Sequence, residues 1–226
     1  MPSAIIETRV EQAVMVLPGL LATDLSTVLL RTYLVHEGYR ALPWGFGQNR
    51  GPSDDLLMRL ATHVRAVAEA SGGRVSLIGH SLGGIYAREI AKIAAESVQL
   101  VITLGSPFRS SAARGACRSV VRLIERTTGK TIEELLGNGA SGPVADPPPV
   151  PSIAFYSRSD RIAHWQACME PVSPLTQNIE VHTSHQRMVA NASVFRRIAS
   201  ILNAHTRATD RSSVDGDREA AVAIAA

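Results

Sequence analysis

The sequence predicts an α/β protein: a minimal, mostly parallel sheet of about six strands, with helices on both faces and a short cap insertion. Three observations point there. Apolar runs of strand length alternate with stretches whose apolar residues recur every three or four positions. Glycine, proline or short polar residues close each run, as expected where a buried strand gives way to a loop. One stretch, Arg74 to Glu96, joins a strand, a tight turn and a helix around a single serine. Alternation of this kind places helices over both faces of a parallel sheet.

The first run, Ala13 to Leu17, is continuously apolar and ends at Pro18-Gly19, the signature of a central strand buried on both faces. Thr23-Asp24 is a helix-start signal, and Leu25, Val28, Leu29, Thr32, Tyr33 and Val35 follow at helical spacing up to Gly38. Tyr39 to Trp44 reads as a short strand cut by Pro43, and GFGQNRGPS after it reads as plain connection. Ser53 is expected to cap a long helix with Leu56, Leu57, Leu60, His63, Val64 and Val67 on one face; among these neighbours His63 is a packing residue. Val75, Leu77 and Ile78 form the third strand, and Leu82, Ile85, Tyr86, Ile90, Ile93 and Ala94 the apolar side of the helix behind it. Val98 to Leu104 is a fourth strand. Phe108 to Pro151 breaks the rhythm with helical pieces near Ala116–Arg126 and Ile132–Leu136 and a Gly/Pro-rich tail. Such an excursion inside a compact domain is either a cap over a site, the favoured reading, or a long surface excursion; in a cap, Val121 and Ile124 on its apolar side are candidate substrate contacts. Strands at Ser152–Tyr156 and Ile179–His182 and a helix from Asn191 to about Ala204 complete the pattern.

At 226 residues and 45% hydrophobic content the chain can build one sizeable core, read as a single domain over 1–205 with a weakly ordered tail over 206–226. The net charge of +3 is carried by scattered arginines with no basic run, which points away from nucleic acid. Cys117 and Cys168 are too few for a disulfide framework and are expected as free thiols. No stretch reaches 18 apolar residues and the N-terminus lacks a signal-peptide pattern, so the expectation is a chain without an integral membrane segment, cytoplasmic by default.

The chemistry is stated by Gly79-His80-Ser81-Leu82-Gly83, a G-x-S-x-G turn between strand and helix. Such a turn strains the serine backbone and projects its hydroxyl, while small flanking residues let strand and helix pass closely. The helix N-terminus makes the Leu82 N–H a candidate oxyanion donor. Ligands of open α/β sheets bind beyond the carboxyl ends of the strands, so residues just after strands converge there. Ser81 follows the third strand, Asp160 the fifth and His185 the sixth, a Ser, acid, His order suited to nucleophile, orienting acid and base. His36, His164, His182 and His205 do not follow a strand end, and His80 is expected to point away from Ser81. Asp24, Asp54, Asp55 and Asp146 belong to helix starts or the Pro-rich tail. A second oxyanion donor is expected from Leu20, after Pro18-Gly19.

VLPGLLATDLS, LIGHSLGGIYAREIA, SRSDRIAHW and SHQRMVANASVFRRIASIL, spanning about Ala13 to Leu202, together resemble the α/β-hydrolases, and within them small bacterial lipases and esterases. The resemblance implies the α/β-hydrolase fold in a form lacking the first antiparallel strand pair. It also implies hydrolysis of small carboxylic esters through an acyl-enzyme, without metal or organic cofactor. Acyl transfer, thioester or lactone cleavage, and a non-catalytic module binding a small apolar ligand are the alternatives that the same residues leave open.

Overall fold

The computed structural model describes residues 12–53, 55–109, 125–126, 129, 138–139 and 142–207. Six strands form its main sheet: β1 (Ala13–Leu17), β2 (Arg40–Pro43), β3 (Val75–His80), β4 (Val98–Leu104), β7 (Ser152–Tyr156) and β8 (Thr176–Glu180). They run in the order β2-β1-β3-β4-β7-β8, every pairing parallel. Two-residue strands β5 (Asn138–Gly139) and β6 (Gly142–Pro143) pair antiparallel outside it. The connecting helices are α1 (Val28–His36), α2 (Leu56–Ser71) and α3 (Leu82–Ile93). Because such crossovers are right-handed, α1 covers one face and α2 and α3, which pack together, cover the other.

β1, β3 and β4 are buried along their whole length, so β1 reads as an unbroken apolar run, while β3 and β4 are mainly apolar and bury Ser76, Gln99 and Thr103 as well. Met15, Leu17, Leu77, Val101, Leu60, Ile85 and Ile90 belong to the core between this sheet and the α2–α3 face. Strand order reverses between β1 and β3, and that switch point places the loop after β1 beside the loop after β3. Leu17 pairs with Gly79 and His80 with Leu104, so three strands end level with one another around Ser81.

Several elements differ from their expected bounds. The first helix opens as a 3-10 turn, Asp24–Thr27, whose entry is capped by the Thr23 hydroxyl on the Leu25 N–H at 3.4 Å. The N-cap of α2 is Asp55 rather than Ser53, whose hydroxyl instead donates to the Asp55 carboxylate at 3.0 Å. The last strand of the sheet lies at Thr176–Glu180, three residues earlier than the apolar pattern suggested. It is an edge strand, paired only with β7, and an edge can be built from half-exposed Thr176 and Asn178 without an apolar run. His182 therefore falls outside the strand and is exposed.

The chain divides into two compact units, Met1–Asn191 and Ala192–Ala226. The described part of the second is a helix over 192–207, α4, with Val194, Ile198 and Leu202 buried at four-residue spacing. Val121, Ile124, Cys117, most of the helical pieces expected in the insertion, and 208–226 lie outside the described residues. Cys168 is a buried free thiol, and burial raises its pKa. Among the described residues, no helix is long and apolar enough to cross a membrane.

Candidate active site

β3 delivers Ser81 into a turn with φ 52° and ψ −122°, a left-handed backbone region that non-glycine residues rarely adopt. The strain is held from both sides. The Ser81 N–H donates to the Leu104 carbonyl at 2.9 Å, and the Ser81 carbonyl accepts the Gly84 N–H at 3.0 Å. The flanking glycines are required by close approach: a Cβ on Gly79 would lie 2.3 Å from the Gly83 carbonyl, and one on Gly83 would lie 2.5 Å from the Leu17 carbonyl. Leu82 opens α3 directly after the serine, so its N–H belongs to the unpaired first turn of a helix.

Asp160 follows β7 and His185 follows β8, and the two side chains meet: His185 Nδ1 lies 2.6 Å from Asp160 Oδ2, with both side chains almost fully buried. The second carboxylate oxygen, Oδ1, accepts the N–H groups of Ile162 at 2.8 Å and Ala163 at 2.9 Å, which fixes its orientation. A carboxylate can only accept, so the contact assigns the proton to Nδ1 and leaves Nε2 as the basic nitrogen of neutral His185. This pair sits over the end of β4, where a Cβ on Gly105 would lie 3.1 Å from His185 Nδ1 and 3.2 Å from Asp160 Oδ2. Gly105 follows Leu104, the residue that accepts the Ser81 N–H, so the pair and the serine are supported by consecutive residues of one strand end.

His80 is the residue that the sequence pattern misplaced. Instead of pointing away, its ring lies 4.8 Å from the His185 ring, and its Nε2 donates to the His185 carbonyl at 3.1 Å. Alternation along the strand would have sent it to the opposite side from Ser81, but the strand ends here and the chain turns. Its place as the last strand residue before the elbow was the only available signal. Burial, reinforced by the neighbouring His185, lowers the His80 pKa from 6.5 to about 4. The neutral form is therefore the folded form, and stability is complete above about pH 6.5 and falls as pH drops toward 4, where the unfolded chain binds the extra proton. The loss across that window amounts to about 3 kcal/mol. Denaturant unfolding at pH 7 and pH 4.5 should show it in the wild type and show most of it gone in His80→Gln; equal acid sensitivity in both would exclude His80 as its source.

The loop after β1 closes the other side. A Cβ on Gly19 would lie 3.3 Å from Ser81 Cβ, and the Leu21 backbone has φ 60°. The Leu21 N–H donates to the Asn49 carbonyl at 2.6 Å and the Ala22 N–H to the Gly19 carbonyl at 3.1 Å, whereas the Leu20 N–H has no partner among the described residues. Beyond the end of β2 a groove of about 730 Å³ is lined by Trp44, Phe46, Arg50, Arg59 and His63. His63 packs edge-on against Phe46 with ring centres 5.8 Å apart, the packing role its neighbours implied.

A parallel six-stranded sheet, helices on both faces and a serine on a strained strand-to-helix turn at the switch point define an α/β hydrolase architecture. The chain belongs to the alpha/beta hydrolase family, whose pattern it matches over residues 14–219. Over 68 residues, 30% of this chain, it is 41% identical to triacylglycerol lipases of Pseudarthrobacter phenanthrenivorans and Burkholderia plantarii. The match spans only 21% and 19% of those lipases, about a fifth of their length. Among solved structures, a monoacylglycerol lipase of Paleococcus ferrophilus superposes with a TM-score of 0.59 at 15% identity, covering 86% of this chain and 96% of its own. The carboxylesterase CesB of Bacillus subtilis does so with a TM-score of 0.58 at 17% identity, over 85% of this chain and 84% of its own. At such identities the likeness speaks to the fold.

Proposed function

We propose that the chain is a serine hydrolase that cleaves carboxylic esters through an acyl-enzyme. The observation that carries this reading is the strained Ser81 turn beside the buried Asp160–His185 pair at 2.6 Å. Strain of this kind persists where surrounding structure holds it for a task, which favours chemistry over a passive ligand-binding module.

In the proposed reaction the neutral His185 Nε2 removes the Ser81 hydroxyl proton as Ser81 Oγ attacks the ester carbonyl. Asp160 keeps the imidazole in the required tautomer and stabilises the imidazolium that forms. The N–H groups of Leu20 and Leu82 hold the tetrahedral oxyanion. His185 returns the proton to the departing alcohol, then activates water to release the acid and regenerate the serine. The insertion would supply the acyl-chain contacts, with Val121 and Ile124 on its apolar side.

Mixing the protein with p-nitrophenyl esters of graded acyl length should give a stoichiometric burst of p-nitrophenol, and a fluorophosphonate should add to Ser81 by mass. An absent burst together with an unmodified Ser81 would overturn the proposal. Supplying a competing alcohol or thiol acceptor in the same assay separates hydrolysis from acyl transfer.

A further inference from the structure

We propose that Asn49 is a positioning residue that holds the 18–22 turn, and with it the Leu20 N–H, in the conformation that receives the oxyanion. The proposal rests on the serine hydrolase reading above and deepens it. Asn49 lies in the segment after β2 that reads in sequence as plain connection, yet it is fully buried and bonded to that turn at both of its ends. Its side-chain Nδ2 donates to the Pro18 carbonyl at 2.9 Å. Its backbone N–H donates to the Ala22 carbonyl at 2.8 Å, and its carbonyl accepts the Leu21 N–H at 2.6 Å. One residue thus grips the first, fourth and fifth positions of the turn. The neighbouring Gln48 adds a bond from Nε2 to the Leu21 carbonyl at 3.0 Å.

This arrangement explains two features of the turn together. Leu21 is held at φ 60° without being a glycine, a conformation that needs outside restraint, and Asn49 provides it on both sides. Asn49 takes the Leu21 N–H and Gly19 the Ala22 N–H, so the Leu20 N–H is left as a donor without a partner among the described residues. Asn49 is fixed in turn by the Gly51 N–H at 3.2 Å and the Tyr86 hydroxyl at 3.4 Å, both on Oδ1. Tyr86 belongs to α3, the helix that begins at Leu82. The two proposed donors are therefore tied into one frame through Asn49, and a preorganised frame is what an oxyanion site needs, since donors that must reorient stabilise the transition state less.

The test compares wild type, Asn49→Ala and Asn49→Asp. The aspartate keeps the side-chain shape but cannot donate to the Pro18 carbonyl. Turnover of a short p-nitrophenyl ester, inhibition by phenylboronic acid and thermal unfolding are measured on the same samples, with active sites counted by phosphonate titration. Tetrahedral boronate on the serine places an oxygen where the oxyanion would sit. The expected result is a kcat per titrated site lowered by about 10- to 100-fold in both variants, KM within about twofold, and boronate affinity lowered in parallel. Tyr86→Phe, which removes the hydroxyl from Asn49 Oδ1 but leaves the Pro18 bond in place, should lower kcat per site less than Asn49→Ala does. A lowered melting temperature with kcat per site and boronate affinity unchanged would make Asn49 a structural residue only and overturn the proposal. A wild type with neither ester turnover nor a phosphonate adduct would overturn the hydrolase reading itself; an active wild type with unaffected variants overturns the assignment to Asn49 alone.

Discussion

Ser81→Ala is expected to lower kcat for ester hydrolysis by about a millionfold, the size of loss seen when the nucleophile of a triad is removed. The fold should survive, because the turn is held by backbone bonds to Leu104 and Gly84 that the substitution leaves intact. Alanine at φ 52° retains the strain, whereas glycine does not. Ser81→Gly should therefore be equally inactive yet more stable than Ser81→Ala by about 1 kcal/mol, read as a higher denaturant midpoint. Retention of more than about a tenth of wild-type turnover in either variant would remove Ser81 from the reaction. Equal stability of the two would mean that the turn stores no strain.

The largest stability effect is expected at Arg88, on the buried side of α3. Its guanidinium pairs with Glu170, both side chains being fully buried, and Glu170 also accepts the Ser152 hydroxyl at 2.6 Å. Burial lowers the Arg88 pKa to about 10, which still leaves it charged at neutral pH. Arg88→Met would strand the Glu170 carboxylate in the core, and removing one partner of a buried pair costs about 3–5 kcal/mol. For a chain of this size that corresponds to a melting temperature lower by roughly 10 °C. Replacing both partners, Arg88→Met with Glu170→Met, should recover most of the loss, because no uncompensated charge remains. A double variant as unstable as the single one would show that the pair matters through its other hydrogen bonds rather than through its charges.

What the sequence made legible follows the physics of burial. Val98 to Leu104 reads as a strand to the residue, because a central parallel strand is buried on both faces and five of its seven residues are apolar. The meeting of Asp160 and His185 was readable because each follows a strand end, and the structure brings their side chains into direct contact. The edge strand at Thr176–Glu180 was misplaced because an edge buries too little to impose a pattern. Asn49 left no trace and the ring position of His80 only its place before the elbow, since each depends on a hydrogen bond to a residue far away in sequence, Pro18 in one case and His185 in the other. Periodicity reports which face a residue is on, and it carries no information about which distant carbonyl a side chain will find.

Arg88 has a second set of contacts, with the two roots of the insertion. Its guanidinium carbon sits 3.7 Å from the centre of the Phe108 ring, where the chain departs after β4. Its Nη2 donates to the carbonyls of Ala145 at 3.2 Å and Asp146 at 2.9 Å, where the chain returns toward β7. Departure and return thus share one anchor, and in polymer terms the chain between them is a loop whose ends are already brought together. Lengthening such a loop is cheap, about 0.6 kcal/mol for each doubling. The pairing of β4 with β7, and the ends of β7 and β8 that precede Asp160 and His185, lie outside the segment closed in this way. Scaffold and insertion are then separable variables: the length of chain between the two roots can change while β4 and β7 keep their register.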